Sequence, residues 1–163
     1  MAKAKFEIGY DFGITNEQVI IDCIDHLTQG HDTEIVLHHN SGGKAVLAIE
    51  LSQAILDAKG KVELKAQGYV NSAAAYVFYS VLFWGPQVSI EVTESLCTMY
   101  HCPRTEVDSK VVPIFNAATT VHKVYGALYS VLESQCPEAY SGYARAKYDI
   151  GHEVVVIFPQ MTR

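Results

Sequence analysis

One local pattern occurs twice in this chain, and it limits the available folds more than any other feature. Thr33-Glu-Ile-Val-Leu-His-His39 is an apolar run of strand length, Asn40-Ser-Gly-Gly43 reads as a turn, and a helix from about Lys44 to Ala58 is closed by Gly60. Lys61-Val-Glu-Leu-Lys-Ala-Gln67 then alternates as a strand and breaks at Gly68. At Ser72 it leads into Ala73-Ala-Ala-Tyr-Val-Phe-Tyr-Ser-Val-Leu-Phe83, an apolar run that reads as a buried helix. Strand, loop and helix in repeated succession need crossover connections, which make the strands parallel and lay the helices on the sheet. The expected class is α/β.

The flanking segments extend this plan. Lys5-Phe-Glu-Ile-Gly-Tyr10 adds a strand, and Thr15-Asn-Glu-Gln18 has the T-x-x-Q form of a capping box. The helix it opens carries Val19, Ile20, Cys23, Ile24 and Leu27 on one stripe and stops at Gly30. Val88–Val92 and Cys97–His101 are short alternating segments. Between Pro113 and Pro137, Ile114, Ala117, Ala118, Val121, Tyr125, Leu128, Val131 and Leu132 keep helical spacing in a long, two-sided helix, whose wide apolar face is expected to meet another subunit. Glu153–Phe158 closes the chain as a strand-like run. No linker or charge run intervenes, so residues 1–163 are expected to form one domain.

Charge narrows the function classes. Twelve Lys and Arg against 18 Asp and Glu give a net charge of −6, which repels a phosphate backbone and argues against nucleic acid as partner. Only 18% of residues are charged, against about 25% in an average soluble domain, as expected if part of the surface is covered in an oligomer. No apolar stretch reaches membrane-spanning length, and the basic start Met1-Ala-Lys-Ala-Lys-Phe6 has no apolar segment after it. A cytoplasmic protein that does not enter a membrane is expected, with Cys23, Cys97, Cys102 and Cys136 reduced. Cys97, His101 and Cys102 lack a second ligand pair at zinc spacing, so no metal is expected.

Ligands in parallel α/β folds gather at the carboxyl ends of strands. Two such ends carry unusual loops. In Asn40-Ser-Gly-Gly43 the adjacent glycines let backbone N–H groups approach a bound oxygen, although a glycine pair also makes an ordinary turn. Ser72 stands between a strand and a helix N-terminus, as a helix cap or as an exposed nucleophile with the next N–H available to an oxyanion. A serine nucleophile needs a base, and His101, closing the segment from Cys97, is a candidate; His38-His39 before the glycine turn is another.

Taken in order, these motifs resemble the ClpP family of self-compartmentalising serine peptidases. Asn40-Ser-Gly-Gly43 is similar to that family's Asn-Ser-Pro-Gly-Gly. Gly68-Tyr-Val-Asn-Ser-Ala-Ala-Ala75 is similar to its Gly-x-Ala-Ala-Ser-Met-Gly-Ala, and Cys97-Thr-Met-Tyr-His-Cys-Pro103 to the segment around its catalytic histidine. The resemblance runs from about Phe6 to Asp149, and the shortened pattern suits a virus-borne or accessory copy.

The resemblance implies a spiral of ββα units of the ClpP and crotonase type, with the helix between Pro113 and Pro137 as a handle. It implies Ser72 as nucleophile, His101 as general base, and the N–H groups of Ala73 and Gly43 as oxyanion hole, with Gly42 shaping the loop. Asp149, the last aspartate in the chain, would hold the His101 tautomer; Glu133, Glu138, Asn71 or a backbone carbonyl are the other acceptors open to it. Assembly into a heptameric ring or a double ring of tetradecamer type, peptide or unfolded-protein substrates, a ring-ATPase unfoldase partner and no cofactor follow from the same resemblance. Two other readings share the fold: a catalytically silent structural or regulatory subunit, and a crotonase-like acyl-CoA enzyme.

Overall fold

The computed structural model describes residues 3–107, 110–113, 119–140 and 145–163. The chain divides into two compact units, Met1–Thr98 with Ile157–Arg163, and Met99–Val156.

In the first unit the alternating segments become β1 (Ala4–Phe12), β2 (Thr33–Gly43) and β3 (Val62–Asn71), separated by the helices α1 (Glu17–Thr28) and α2 (Ala45–Leu56). α3 (Ala73–Trp84) follows β3 and leads to β4 (Ser89–Val92) and β5 (Leu96–Tyr100). β1 through β4 lie parallel in chain order, as the crossover argument requires, and β5 also pairs with β3. Ile8, Ile35, Leu37, Leu64, Ala66, Ile90 and Val92 are buried, as are Ile20, Cys23 and Leu27 of α1. Period-2 alternation turns the intervening residues outward, where Lys3 bridges Glu34 at 2.9 Å and Glu63 at 2.5 Å, and Lys65 bridges Glu91 at 3.4 Å. α3 is apolar all round, and residues 73–81 are all buried.

The strands run further than the glycines suggested. Asn40–Gly43 is the end of β2 and not a separate turn, and β3 passes through Gly68 to Asn71. Three extra residues near these ends absorb the misfit. β2 bulges at His39 and at Gly42 against β1, and β3 bulges at Gly68 against β2. The expected capping box also differs. Asn16 is the N-cap of α1, its side chain makes no cap bond, and the Thr15 hydroxyl donates to the Asp11 carboxylate instead.

The second unit contains a hairpin, β6 (Arg104–Val107) with β7 (Lys110–Pro113), followed by α4 (Thr120–Gln135), α5 (Pro137–Tyr140) and α6 (Arg145–Asp149). Of the expected long helix, Ile114, Ala117 and Ala118 lie outside the described residues. Within α4, Tyr125, Leu128, Tyr129 and Leu132 are buried, while Val121 and Val131 are half-buried. Part of the cover over this buried side comes from the same unit. The cover is a group of tyrosines: Tyr148 stacks on Tyr129 at 4.2 Å and on Tyr100 at 6.2 Å, and Tyr100 stacks on Tyr125 at 5.8 Å. The Arg145 guanidinium lies 5.3 Å from the Tyr148 ring centroid and donates to the Gly126 carbonyl at 3.0 Å.

β8 (Val154–Phe158) and β9 (Met161–Thr162) end the chain, β9 pairing antiparallel with β4. Beyond them Arg163 caps α3. Its guanidinium donates to the carbonyls of Leu82, Val81 (3.1 Å) and Gly85 (2.8 Å), placing a cation at the negative helix end. Arg163→Ala is expected to lower stability by about 2 kcal/mol and the thermal midpoint by roughly 4–8 °C. Circular dichroism melts of the two proteins check this, with Arg163→Lys recovering only part of the loss because an ammonium lacks the planar fork.

Candidate active site

The helix that follows β3 determines how Ser72 is presented. Ser72 has φ 54° and ψ −114°, a conformation that L-residues rarely adopt, and its carbonyl accepts the first helical bond from the Tyr76 N–H at 2.9 Å. It therefore occupies the N-cap position of α3, yet its hydroxyl caps nothing and has no hydrogen-bond partner among the described residues. The cap reading of this serine is thus not realised. A strained serine on a sharp strand-to-helix turn, half-buried, with its hydroxyl uncommitted and the positive end of a helix beneath it, has the geometry of a nucleophile elbow.

The glycine loop meets it. A Cβ placed on Gly42, whose φ is +93°, would stand 2.5 Å from Ser72 Cβ, 3.1 Å from Ser72 Oγ and 2.8 Å from the Asn71 carbonyl oxygen. Only glycine permits this approach. Gly43 is constrained from the other side, because a Cβ there would collide with the Phe12 carbonyl. The Lys44 N–H donates to that same carbonyl at 2.8 Å, and the Gly42 N–H donates to Asn40 Oδ1 at 2.9 Å. Beside the serine, Asn71 Oδ1 is buried without a hydrogen-bond partner among the described residues. The structure thus gathers Ser72, Ala73, Gly42 and Gly43 at the ends of β2 and β3.

His101 follows β5 in the second unit and is 7% exposed. Its Nδ1 lies 2.6 Å from the Cys102 carbonyl oxygen. A carbonyl only accepts, so Nδ1 carries the proton and the neutral ring has its lone pair on Nε2, the arrangement a general base needs. Burial pushes the imidazolium below the ordinary value of 6.5, and Arg104 acts in the same direction, against the opposing Cys102 bond and Glu153.

Asp149 is not the acceptor for that ring. Its Oδ1 accepts from Arg145 Nε at 3.2 Å, an i, i+4 pair along α6, and lies 4.0 Å from His122 Nε2. Spacing along the chain does not reveal this: Arg145 sits one turn before Asp149 and competes for it locally, while the carbonyl beside His101 Nδ1 belongs to the adjacent residue. Neither Glu133 nor Glu138 is hydrogen-bonded to His101, whose Nδ1 is taken by the Cys102 carbonyl. Among the described residues no three His, Cys, Asp or Glu side chains stand close enough to hold a metal ion, and none of the four cysteines is in a disulfide. No helix of the described residues is long and apolar enough to cross a membrane.

Neither a family model nor a curated protein matches the sequence. Among solved structures, a mutant of ClpP1 from Listeria monocytogenes matches with a TM-score of 0.54, covering 93% of this chain and 81% of that one. The chain has a ClpP-like fold. At 13% identity the likeness is one of architecture, and it bears out the expected α/β class with ClpP-type units.

The strain at Ser72 makes a thermodynamic prediction. A non-glycine residue in such a conformation costs on the order of 1–3 kcal/mol, so Ser72→Gly is expected to gain about 1 kcal/mol after the extra chain entropy of glycine is counted. Thermal unfolding should show a midpoint roughly 2–4 °C higher, whereas Ser72→Ala, which keeps the strain, should stay near the parent value.

Proposed function

We propose that this chain is a ClpP-like serine peptidase subunit, with Ser72 as nucleophile, His101 as general base, and the Ala73 and Gly43 N–H groups as oxyanion hole. The observation that carries the reading is the uncommitted hydroxyl of a positive-φ serine at a helix start, with a glycine loop in contact with it. The Gly43 N–H is assigned to the oxyanion hole because it lies next to Gly42, the residue of the loop that comes against Ser72. The Ala73 N–H is one of the first-turn donors that no helical carbonyl accepts.

In this mechanism the Ser72 hydroxyl attacks the scissile carbonyl as His101 Nε2 takes its proton. The carbonyl π electrons move to the oxygen, and the oxyanion is held by the two amides. Collapse breaks the C–N bond, with the proton passing from His101 to the leaving amine. Water, deprotonated by the same nitrogen, then attacks the acyl carbon, and the bond from that carbon to Ser72 Oγ breaks as His101 returns the proton to the serine oxygen. The Cys102 carbonyl holds the tautomer in place of Asp149. Self-assembly as a heptameric ring or double ring in the cytosol, with unfolded polypeptide delivered by a ring-ATPase unfoldase, belongs to the same reading. A catalytically silent subunit is the second reading, favoured by the pairing of Asp149 with Arg145.

A fluorophosphonate separates the two. Labelling with peptide mapping is expected to modify Ser72, and Ser72→Ala and His101→Asn to remove the modification. The rate should be level at neutral pH and fall only as the medium is acidified past an apparent pKa below 6.5, since burial keeps His101 neutral. Asp149→Asn should change the rate by less than about threefold, against about 10⁴ for loss of an acceptor that holds the tautomer. No labelling at any pH would favour the silent subunit.

A further inference from the structure

Asn40 is the most completely used polar side chain near the glycine loop. It is fully buried at the end of β2, where an unpaired carboxamide would be costly. Its Nδ2 donates to the Asp11 carbonyl at 2.5 Å and to the Ile8 carbonyl at 3.3 Å, both on β1. Its Oδ1 accepts the Gly42 N–H at 2.9 Å. One rigid, planar group therefore fixes the loop amide relative to the neighbouring strand. β1 is shaped to receive it: Tyr10, at φ 67°, interrupts the regular ladder, and the Asp11 carbonyl beyond this irregularity is the one Asn40 reaches.

The consequence concerns the next peptide. With the Gly42 N–H engaged by Asn40, that amide is unavailable to a substrate oxygen and the Ser41–Gly42 peptide is held in place, while the Lys44 N–H bond to Phe12 holds the Gly43–Lys44 peptide, so the Gly42–Gly43 peptide is anchored on both sides. Glycine at φ +93° has several conformations of similar energy open to it, so a loop without this clasp would sample orientations in which the Gly43 N–H points elsewhere. We infer that Asn40 is a positioning residue that aims the Gly43 amide toward Ser72, an inference that rests on the peptidase reading above. It touches no reacting atom; it acts through the loop.

Asn16 supplies an internal control. Its carboxamide donates to the same Asp11 carbonyl at 2.9 Å and to Gly9 at 3.0 Å, and accepts the Gly13 N–H at 2.8 Å. It makes the same kind of clasp on the same strand, but on a loop that does not touch Ser72. A purely structural role for Asn40 predicts that the two alanine variants behave alike.

The test uses the full chain labelled with ¹⁵N-glycine, and compares Asn40→Ala, Asn40→Asp and Asn16→Ala with the parent. In Asn40→Ala the Gly42 amide should exchange with solvent at least tenfold faster and the Gly43 resonance should move. Asn40→Asp keeps the volume but sets an oxygen against the Asp11 and Ile8 carbonyls in place of the donor, so its Gly42 amide should also exchange faster than the parent's, and this variant carries the test if the alanine variant does not fold. The maximal rate of phosphonate labelling at Ser72 should fall about 10²-fold in Asn40→Ala, as for loss of one oxyanion donor. Its half-saturating concentration should be unchanged, and Asn16→Ala should label at the parent rate. Unchanged Gly42 exchange in Asn40→Ala, or equal slowing by Asn16→Ala, overturns the inference. If the parent protein does not label, the peptidase reading fails, and the exchange of Gly42 with the Gly43 shift still decides whether Asn40 orients the loop.

Discussion

A side chain at position 42 would collide with Ser72, and the ends of three strands are arranged around that close approach. For the β2 loop to come against the β3 turn, the parallel ladder has to gain residues, which it does at His39, Gly42 and Gly68. Glycine absorbs the unusual backbone at two of these positions, and His39, at φ 46°, takes it at the third. Tyr10 and Ser72 are strained in the same way, so three non-glycine residues with positive φ stand at the ends of three adjacent strands. Each costs on the order of 1–3 kcal/mol, and strain concentrated in this manner accompanies function more often than packing.

The rest of the first unit holds these conformations in place. α3 is buried through residues 73–81, which fixes the direction in which Ser72 leaves β3, and the Arg163 fork secures its far end. Tyr79 links the same helix to Thr98 of β5 by a hydroxyl contact of 2.5 Å. On the opposite face of the sheet, the Lys3, Glu34, Glu63, Lys65 and Glu91 ion pairs are partly exposed, and such pairs contribute little to stability. Their effect is to keep that face hydrated while the helices cover the other.

Much of this was legible in the sequence because it depends on periodicity. The repeated strand–loop–helix unit gave the parallel sheet, and the glycine pair, Ser72 and the apolar helix fell in the order that the fold requires. What escaped was decided by competition between nearby polar groups. Thr15 satisfied the pattern of a capping box, yet the Asp11 carboxylate claimed its hydroxyl. Asp149 had a suitable position along the chain, yet Arg145, four residues away on α6, was the nearer partner. Asn40 looked like a turn residue, whereas its burial at a strand end makes its carboxamide a bridge between β1 and the loop. The β6–β7 hairpin was missed because its strands are four residues each and carry little alternation.

The central claim is that Ser72, Ala73 and Gly43 form one preorganised pocket for an oxyanion. A crystal structure of the protein after treatment with a peptidyl phosphonate tests it most directly. The account predicts phosphorus bonded to Ser72 Oγ, with the phosphoryl oxygen roughly 2.7–3.1 Å from the Ala73 and Gly43 nitrogens. An adduct on another residue, or one on Ser72 whose oxygen faces solvent away from both amides, would contradict it.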